Sequence, residues 1–272
     1  MTLEALVTRR LRYGAEPTSF GDLIVPAGAG PHPIVVLVHG GFWRTPYDLT
    51  LMTGLAHDLA ARGYAAWNIE YRRVGDPGGG WPGTLADVAR ATGFLWILAP
   101  DYELDLARTV AIGHSAGGHL ALWLAARPRL SPGALGSPDM LRDLTGPAAL
   151  PLAGVISLAG VADLVDGYQR GLSRGAVAEF LGGSPAQQLE RYATTSPAAL
   201  LPLGVPQTLI HGTADDQVPV VQSRAYTAAA LAASDSVRLR ELPGVDHFAL
   251  IDPASDAWAI VVEELARLLR PI

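Results

Sequence analysis

The sequence predicts an α/β fold in which one mostly parallel central sheet carries helices on both faces. Short apolar, β-prone runs alternate with stretches of helical periodicity along nearly the whole chain, and this alternation is typical of parallel sheets. The chain has 272 residues, of which 49% are hydrophobic and 17% are charged, so it can bury one large core. We therefore expect residues 1–272 to form a single domain.

Strands are expected where apolar or alternating runs end in glycine, proline or polar residues. Ile34–Val38 is a continuous apolar run, which indicates a strand that is buried on both faces. Val237–Leu242 alternates arginine and leucine, as an outer strand does, and the residues around Arg9 and Arg10 are interpreted as a solvated strand edge. The other predicted strands are Phe20–Val25, Ala65–Tyr71, Thr109–Ile112, Val155–Leu158 and Gln207–Ile210.

Helices are predicted between these strands from apolar residues spaced three and four positions apart. The first, Asp48–Arg62, carries its apolar residues on one face and stops at Gly63. A helix over Thr84–Leu98 is expected to end before Pro100. The remaining predicted helices are Gly118–Ala126, Val218–Ala233 and Pro253–Leu269.

Two stretches interrupt the alternation of strands and helices. Residues 128–151 are rich in proline, glycine and serine and are expected to form a long loop. Residues 163–203 contain short helical runs at Ala176–Leu181 and Ala186–Tyr192, and they lie between two strands on the side where strand ends should carry a site. We interpret this 163–203 segment as a small cap over the pocket. The alternative is a packed surface excursion that does not contact a substrate.

Composition disfavours several classes of function. The net charge of −6, with no stripe of lysine and arginine, argues against nucleic acid as a partner. The absence of cysteine excludes disulfides, cysteine-ligated metals and a thiol nucleophile, and no paired histidine and carboxylate spacing indicates a metal site. No signal peptide or membrane-spanning run of ~20 apolar residues is visible, so we expect a cytoplasmic protein without a membrane partner. We expect no cofactor, and the sequence leaves a monomer and a homodimer open.

The most informative motif is Gly113-His114-Ser115-Ala116-Gly117, because it lies between a predicted strand and a predicted helix. Thr109–Ile112 leads into it and Gly118–Ala126 leads out of it. A sharp turn from strand to helix pushes a serine hydroxyl out at the top of a sheet, and its two flanking glycines prevent collisions with the neighbouring backbone. Ser115 is therefore the candidate nucleophile. The alternative is an ordinary glycine-rich loop.

A serine nucleophile needs a base and an acid that orients the base. The base is predicted to be His247, since in the chain order Ser…Asp…His the histidine follows the acid and no other histidine lies beyond residue 215. Asp215 and Asp216 are the candidates for the acid, because both follow a predicted strand and precede a helix; Asp216 could instead cap that helix. Asp163 is a more distant candidate, and the side chain of Asp246 is expected to point away.

Acyl transfer also needs donors for the oxyanion that develops on the substrate. One is expected to be the backbone N–H of Ala116, the residue after the nucleophile. A second should come from His39-Gly40-Gly41-Phe42-Trp43, where glycines let the backbone approach a substrate closely, so the N–H groups of Gly41 and Phe42 are candidates. The alternative for this stretch is a glycine-rich turn with core aromatic residues.

Aromatic side chains near these segments are candidates for binding the substrate. Trp43, Tyr71 and Trp81, together with Phe42, are predicted to line an acyl or aromatic pocket. Packing in the hydrophobic core is the alternative for each of them.

Together these segments resemble the α/β-hydrolase superfamily of serine esterases over nearly the whole chain. The stretches Gly113 to His119, His211-Gly212-x-x-Asp215-x-x-Val218-Pro219 and Gly244-x-Asp246-His247 look like its nucleophile, acid and base segments. The acid in that pattern falls on Asp215. The loop at 39–43 is similar to the His-Gly-Gly-aromatic-Trp loop of the carboxylesterase-like and kynurenine formamidase-like branches, and it departs from the His-Gly-Gly-Gly loop of hormone-sensitive-lipase-type esterases at Phe42.

The resemblance implies a serine hydrolase that cleaves a carboxylic ester of a small substrate through an acyl-enzyme. Ser115 would be the nucleophile, His247 the base and Asp215 the acid. Hydrolysis of a small amide such as N-formylkynurenine is an alternative, and acyl transfer to an alcohol would use the same residues. A non-catalytic binding protein with this fold would normally have a broken set of catalytic residues, whereas here each of them is present.

Overall fold

The central feature of the protein is an eight-stranded sheet, seen in a computed structural model that describes residues 6–134, 137 and 149–270. The spatial order of the strands is β1-β2-β4-β3-β5-β6-β7-β8. β2 pairs antiparallel with β1 and β4, and every other pair of neighbours is parallel. The strands are β1 Val7–Arg12, β2 Phe20–Val25, β3 His32–Val38, β4 Ala65–Ile69, β5 Leu104–His114, β6 Gly154–Leu158, β7 Gln207–Gly212 and β8 Val237–Leu242.

Helices cover both faces of this sheet. α1 and α9 bury their apolar residues in one hydrophobic cluster, whereas α2, α3, α4 and α8 contribute to the other. Alternate residues of β3 enter the two clusters, which confirms that this strand is buried on both faces. The helices are α1 Thr53–Ala61, α2 Gly83–Gly93, α3 Leu95–Tyr102, α4 Ala116–Ala126, α5 Leu164–Gln169, α6 Ala176–Leu181, α7 Leu189–Thr195, α8 Val221–Ala232 and α9 Asp256–Leu268. The predicted α/β fold is confirmed.

The prediction of one helix over Thr84–Leu98 was wrong. The structure has two helices there, since α2 ends at Gly93 and α3 begins at Leu95. Pro100 lies inside α3 rather than beyond the end of a helix. A proline has a helical φ, but it cannot donate the backbone hydrogen bond to Trp96 that a regular helix would have there, and α3 ends two residues further on, at Tyr102. The helix stops at Glu103, whose φ of 50° turns the chain out of the helix.

The 163–203 segment contains three short helices, α5, α6 and α7, that connect β6 to β7. α6 has the predicted bounds Ala176–Leu181, whereas the second predicted helical run lies three residues later in the chain, as α7. The segment is attached to α4 by two hydrogen bonds: Trp123 Nε1 donates to the carbonyl oxygen of Thr194 at 3.1 Å, and His119 Nε2 lies 3.0 Å from that of Thr195. Its role as a cap stays a prediction. Much of the predicted 128–151 loop lies outside the described residues.

Candidate active site

Ser115 lies on a strained turn between β5 and α4. Its φ of 56° and ψ of −120° belong to a region that residues other than glycine rarely adopt. The turn is attached to the sheet, because the N–H of Ser115 donates to the carbonyl oxygen of Leu158 at the end of β6 over 2.8 Å. A strained serine between a strand and a helix is the geometry of a nucleophile elbow.

Close backbone contacts explain the glycines around this turn. A Cβ added to Gly113 would lie 1.9 Å from the carbonyl oxygen of Gly117, and one added to Gly117 would lie 2.0 Å from that of Val38. A Cβ added to Gly40 would lie 3.0 Å from the Cβ of Ser115. The predicted need for glycine on both sides of the serine is confirmed, and the loop after β3 lies directly against the turn.

His247 and Asp215 form a short hydrogen bond between the loops after β8 and β7. His247 Nδ1 lies 2.6 Å from Asp215 Oδ2, and both side chains are buried. Because an ionised carboxylate only accepts, Nδ1 carries a proton and the lone pair of His247 is on Nε2. Among the described residues no hydrogen bond joins Ser115 to His247. Hydrogen bonds between catalytic groups are often long in an empty site and shorten when the substrate binds.

Four donors hold the carboxylate of Asp215. Oδ1 accepts from the backbone N–H groups of Gln217 at 2.9 Å and Val218 at 2.8 Å, while Oδ2 faces His247 and, at 3.2 Å, Nε2 of His211. Burial opposes ionisation of Asp215, but the hydrogen bonds from His211 and His247 hold its pKa well below the usual range. Asp215 is therefore an anion at neutral pH.

Sequence reasoning did not assign a role to His211. This residue of β7 is fully buried, and its Nε2 also lies 2.8 Å from the carbonyl oxygen of Val218. Its Nδ1 lies 2.7 Å from Ser223 Oγ in α8. His211 thus connects both ends of the loop that presents Asp215. The sequence offered one signal for this role: His211 lies four residues before the acid and directly after the apolar part of a predicted strand.

The other three aspartates considered from the sequence lie elsewhere. Asp216 is exposed and bonds to its neighbour's side-chain amide, so it does not cap α8. Asp163 accepts from two backbone N–H groups at the start of α5, and Asp246 does the same for the turn that follows His247. Of Asp163, Asp215, Asp216 and Asp246, Asp215 alone has its side chain in a hydrogen bond with His247.

The loop after β3 has an unusual backbone where the oxyanion donors were predicted. Gly41, Phe42 and Trp43 have φ values of 107°, 50° and 58°. In the described part of the chain, the N–H groups of Gly41, Phe42 and Ala116 donate to no protein acceptor. Ala116 is the first residue of α4, where the free N–H groups and the helix dipole favour negative charge. These amides are available to an anionic oxygen.

A buried polar network holds the start of this loop. His39 Nε2 lies 3.1 Å from Glu70 Oε1, and the hydroxyl of Tyr71 donates to the carbonyl oxygen of His39 at 2.7 Å. The rings of His39 and Tyr71 are stacked with centroids 4.2 Å apart. Burial raises the pKa of Tyr71 well above its usual value, so the hydroxyl stays a donor.

The structure brings none of the three predicted substrate-binding aromatics into the wall of the site. Trp43 and Tyr71 are 0% exposed, and Trp43 stacks on Phe180 of α6 with centroids 4.6 Å apart. Trp81 packs against Arg191, whose guanidinium carbon lies 4.0 Å from the ring centroid. Large aromatic side chains are commonly used for packing, and the sequence does not separate this use from binding. A contact between substrate and these residues stays a prediction.

A cleft of about 40 Å³ opens at Ser115. Its walls come from the loops after β3, β5, β7 and β8. These four strands end at the same edge of the sheet, and α/β folds commonly bind ligands at that edge. Tyr47 and Phe248 contribute exposed aromatic rings. Sequence reasoning did not single out Tyr47, Leu51, Gln217 and Phe248. The lining residues are Gly41, Phe42, Tyr47, Leu51, His114, Ser115, Gln217, His247 and Phe248.

Two negative findings apply to residues 6–134, 137 and 149–270. No group of three or more histidine, aspartate or glutamate side chains is arranged to hold a metal ion. No helix combines the length and the apolar character that crossing a bilayer requires. The expectations that the protein uses no metal and no cofactor stay predictions.

A family model described as BD-FAE matches residues 22–229. The chain belongs to the BD-FAE family. The match includes Ser115 and Asp215 and ends before His247. Among curated proteins, esterase LipC from Mycobacterium tuberculosis is 27% identical over an alignment of 274 positions. The alignment covers 95% of this chain and 65% of LipC. Kynurenine formamidase avaC from Aspergillus versicolor is 34% identical over 110 residues, or 36% of this chain and 37% of that protein.

Solved structures share the fold of this BD-FAE family member. Esterase B from Lactobacillus rhamnosis superposes with a TM-score of 0.80, covering 98% of this chain and 86% of that one at 22% identity. Similarity at this level of identity shows the fold, and it confirms the predicted α/β-hydrolase architecture. The chain spans about two thirds of the length of LipC, 65%.

Proposed function

We propose that this protein hydrolyses carboxylic esters of small substrates through an acyl-enzyme on Ser115. The observation that carries the proposal is a histidine and aspartate pair, His247 and Asp215, that reaches the same cleft as a serine on a strained turn. Membership of the BD-FAE family and similarity to a protein named an esterase support it.

Each group in the cleft has a defined task in this reaction. His247 Nε2 takes the proton of Ser115 as Oγ attacks the carbonyl carbon, and Asp215 stabilises the resulting imidazolium. The carbonyl oxygen becomes an oxyanion that accepts from the N–H groups of Gly41, Phe42 and Ala116. His247 then returns the proton to the departing alkoxide, which leaves as the alcohol. Water attacks the acyl-enzyme with the help of the same base and releases the acid.

The size of the cleft favours a short acyl group. A cleft of about 40 Å³ holds only a few heavy atoms, and it opens to solvent beside the exposed rings of Tyr47 and Phe248, so most of a longer chain would stay in water. We expect kcat/KM for p-nitrophenyl octanoate not to exceed that for p-nitrophenyl acetate, because methylenes that stay in water add none of the ~0.8 kcal/mol that each buried methylene would contribute. Ser115→Ala serves as the blank. A protein that prefers the octanoate would contradict the proposed substrate size.

Hydrolysis of a formamide is the second candidate, favoured by the 34% identity to a kynurenine formamidase over 110 residues. A formyl group is the smallest acyl group and fits the cleft, and His247 would protonate an amine instead of an alkoxide. Comparing kcat/KM for N-formylkynurenine and p-nitrophenyl acetate separates the two candidates. Adding an alcohol and identifying the products detects acyl transfer. If neither substrate reacts faster than with Ser115→Ala, a binding function replaces both.

A further inference from the structure

His114 connects the turn that carries Ser115 to the loop that carries His247. Its side chain is 2% exposed and lines the cleft beside both residues. His114 Nε2 lies 3.0 Å from the backbone carbonyl oxygen of His247, and the two imidazole rings are 4.4 Å apart between centroids, tilted by 50°. The residue before the candidate nucleophile thus contacts both the backbone and the ring of the candidate base.

The hydrogen bonding of His114 defines its protonation state. A carbonyl oxygen only accepts, so Nε2 carries a proton and donates it to His247. Nδ1 is buried and has no hydrogen-bond partner within the described ranges, so a second proton there would lack an acceptor. Burial and the neighbouring His247 lower the pKa of His114 to about 3. His114 is therefore a neutral donor at physiological pH.

The ionisable groups that face His247 come from two elements. Asp215, in the loop after β7, holds Nδ1, with His211 behind it, and His114, at the end of β5, covers one side of the ring. Phe248 adds an apolar edge with its centroid 5.3 Å away. Asp215 is an anion and His114 is a neutral ring, so neither opposes the positive charge that His247 gains when it accepts a proton.

We propose that His114 is a positioning residue for the base and acts through His247. The inference rests on the proposed role of His247 in ester hydrolysis. The donated hydrogen bond fixes the backbone from which the side chain of His247 extends, and the ring of His114 restricts the directions in which the imidazole can rotate. His247 thereby keeps the distance to Ser115 that proton transfer requires.

Two amide substitutions test this geometry, because they differ by one methylene. In His114→Gln the amide nitrogen reaches about as far as Nε2, so it can still donate to the carbonyl oxygen of His247. In His114→Asn the amide nitrogen stands nearer to the position of Nδ1 and falls short of that oxygen. We expect His114→Gln to keep kcat within about threefold of wild type and His114→Asn to lose about 10- to 100-fold in kcat, with KM nearly unchanged.

His119 provides a matched control. It is also fully buried, with Nε2 3.0 Å from a carbonyl oxygen, but that oxygen belongs to Thr195 in the 163–203 segment. We expect His119→Asn to lose stability without moving the acid limb of the kcat/KM profile. His114→Asn should move that limb to lower pH, because a misaligned His247 receives less stabilisation of its protonated form from Asp215.

Nitrogen NMR of labelled histidines tests the arrangement without a substrate. We expect His114 to be the Nε2–H tautomer and to remain uncharged between about pH 5 and 9. A His114 that titrates near ~6.5, or a folded His114→Asn variant with wild-type kcat and pH profile, would overturn the proposal.

If the wild type hydrolyses no ester, the proposed function fails on its own. The proton that His247 Nδ1 donates to Asp215 then gives the readout: a shifted NMR signal of this proton in His114→Asn supports positioning, and an unchanged signal refutes it.

Discussion

The strand-end loops that carry Ser115, Asp215 and His247 are held differently from the 163–203 segment. Buried hydrogen bonds to charged groups fix the loops, as between His247 and Asp215 at 2.6 Å. The segment is held by aromatic packing, such as Phe180 on Trp43, by bonds to backbone carbonyl oxygens, and by a partly exposed ion pair between Arg44 and Glu179. Directional bonds define the position of a reacting group closely, whereas apolar packing mainly excludes water. We therefore assign the chemistry to the loops and expect the segment to affect substrate preference.

The largest expected effect comes from removing the nucleophile or the base. Ser115→Ala and His247→Ala should each reduce kcat on a short-chain ester by at least about 10⁴-fold, because either change abolishes the acyl-enzyme route. The double variant should be hardly worse than either single variant, since the two residues act as a unit. Steady-state kinetics on all three proteins check this. Additive losses would contradict a shared mechanism.

Neighbouring aspartates allow a sharper comparison within the acid loop. Asp215→Asn should lower kcat by up to about 10⁴-fold, because a neutral amide neither stabilises the imidazolium nor enforces the tautomer of His247. Asp216→Asn, one residue away on an exposed side chain, should leave kcat within about twofold. The two substitutions make the same chemical change and differ only in where the side chain lies. Equal losses in the two variants would place the acid elsewhere.

The same residue predicts a dependence of stability on pH. The folded-state pKa of Asp215 is depressed below its unfolded value of about 3.9, so its ionised form stabilises the fold above that pH and this contribution is lost as the pH falls through the lower folded-state pKa. The free energy of unfolding of wild type minus that of Asp215→Asn should therefore shrink between about pH 5 and 3. Urea titrations measure it. A difference that grows on acidification contradicts the assignment.

The smallest expected effect on catalysis comes from the 163–203 segment. Phe180→Ala removes the ring that stacks on Trp43 and should cost about 3–5 kcal/mol of stability through the cavity it leaves. Because Phe180 does not line the cleft, kcat on p-nitrophenyl acetate should stay within about threefold, while preference among larger esters changes. Phe180→Leu, which keeps most of the volume, is the matched control. A collapse of kcat in the folded Phe180→Ala protein would show that the segment takes part in the chemistry.

Much of the fold and the placement of the candidate triad at strand ends could be predicted from local patterns. Apolar or alternating runs locate β2 to β8, and the carboxyl ends of parallel strands meet at one edge of the sheet. Ser115, Asp215 and His247 each follow a predicted strand, so the sequence alone leads us to expect them near one another. Their catalytic roles stay predictions. The choice of Asp215 over Asp216 needed the family pattern, because adjacent aspartates satisfy the same local rules.

Features that depend on contacts between distant segments could not be predicted in this way. Trp43 and Tyr71 are buried, but a buried aromatic and a pocket aromatic are alike in sequence. The role of His211 depends on Ser223 and Val218, which approach it only after the loop has folded. The break between α2 and α3 at Phe94 is a different case, because Gly93 just before it is a weak helix former and gave a local signal that the apolar spacing outweighed.

Covalent modification by an organophosphate ester such as diethyl p-nitrophenyl phosphate would show which residue of the protein is the nucleophile. Attack by an activated serine releases p-nitrophenol and leaves a diethylphosphoryl group on Oγ, which peptide mass spectrometry can locate. We predict stoichiometric modification of Ser115, with a rate at least about 10³-fold lower in His247→Ala. Modification of a different residue, with ester hydrolysis retained in Ser115→Ala, would contradict the account.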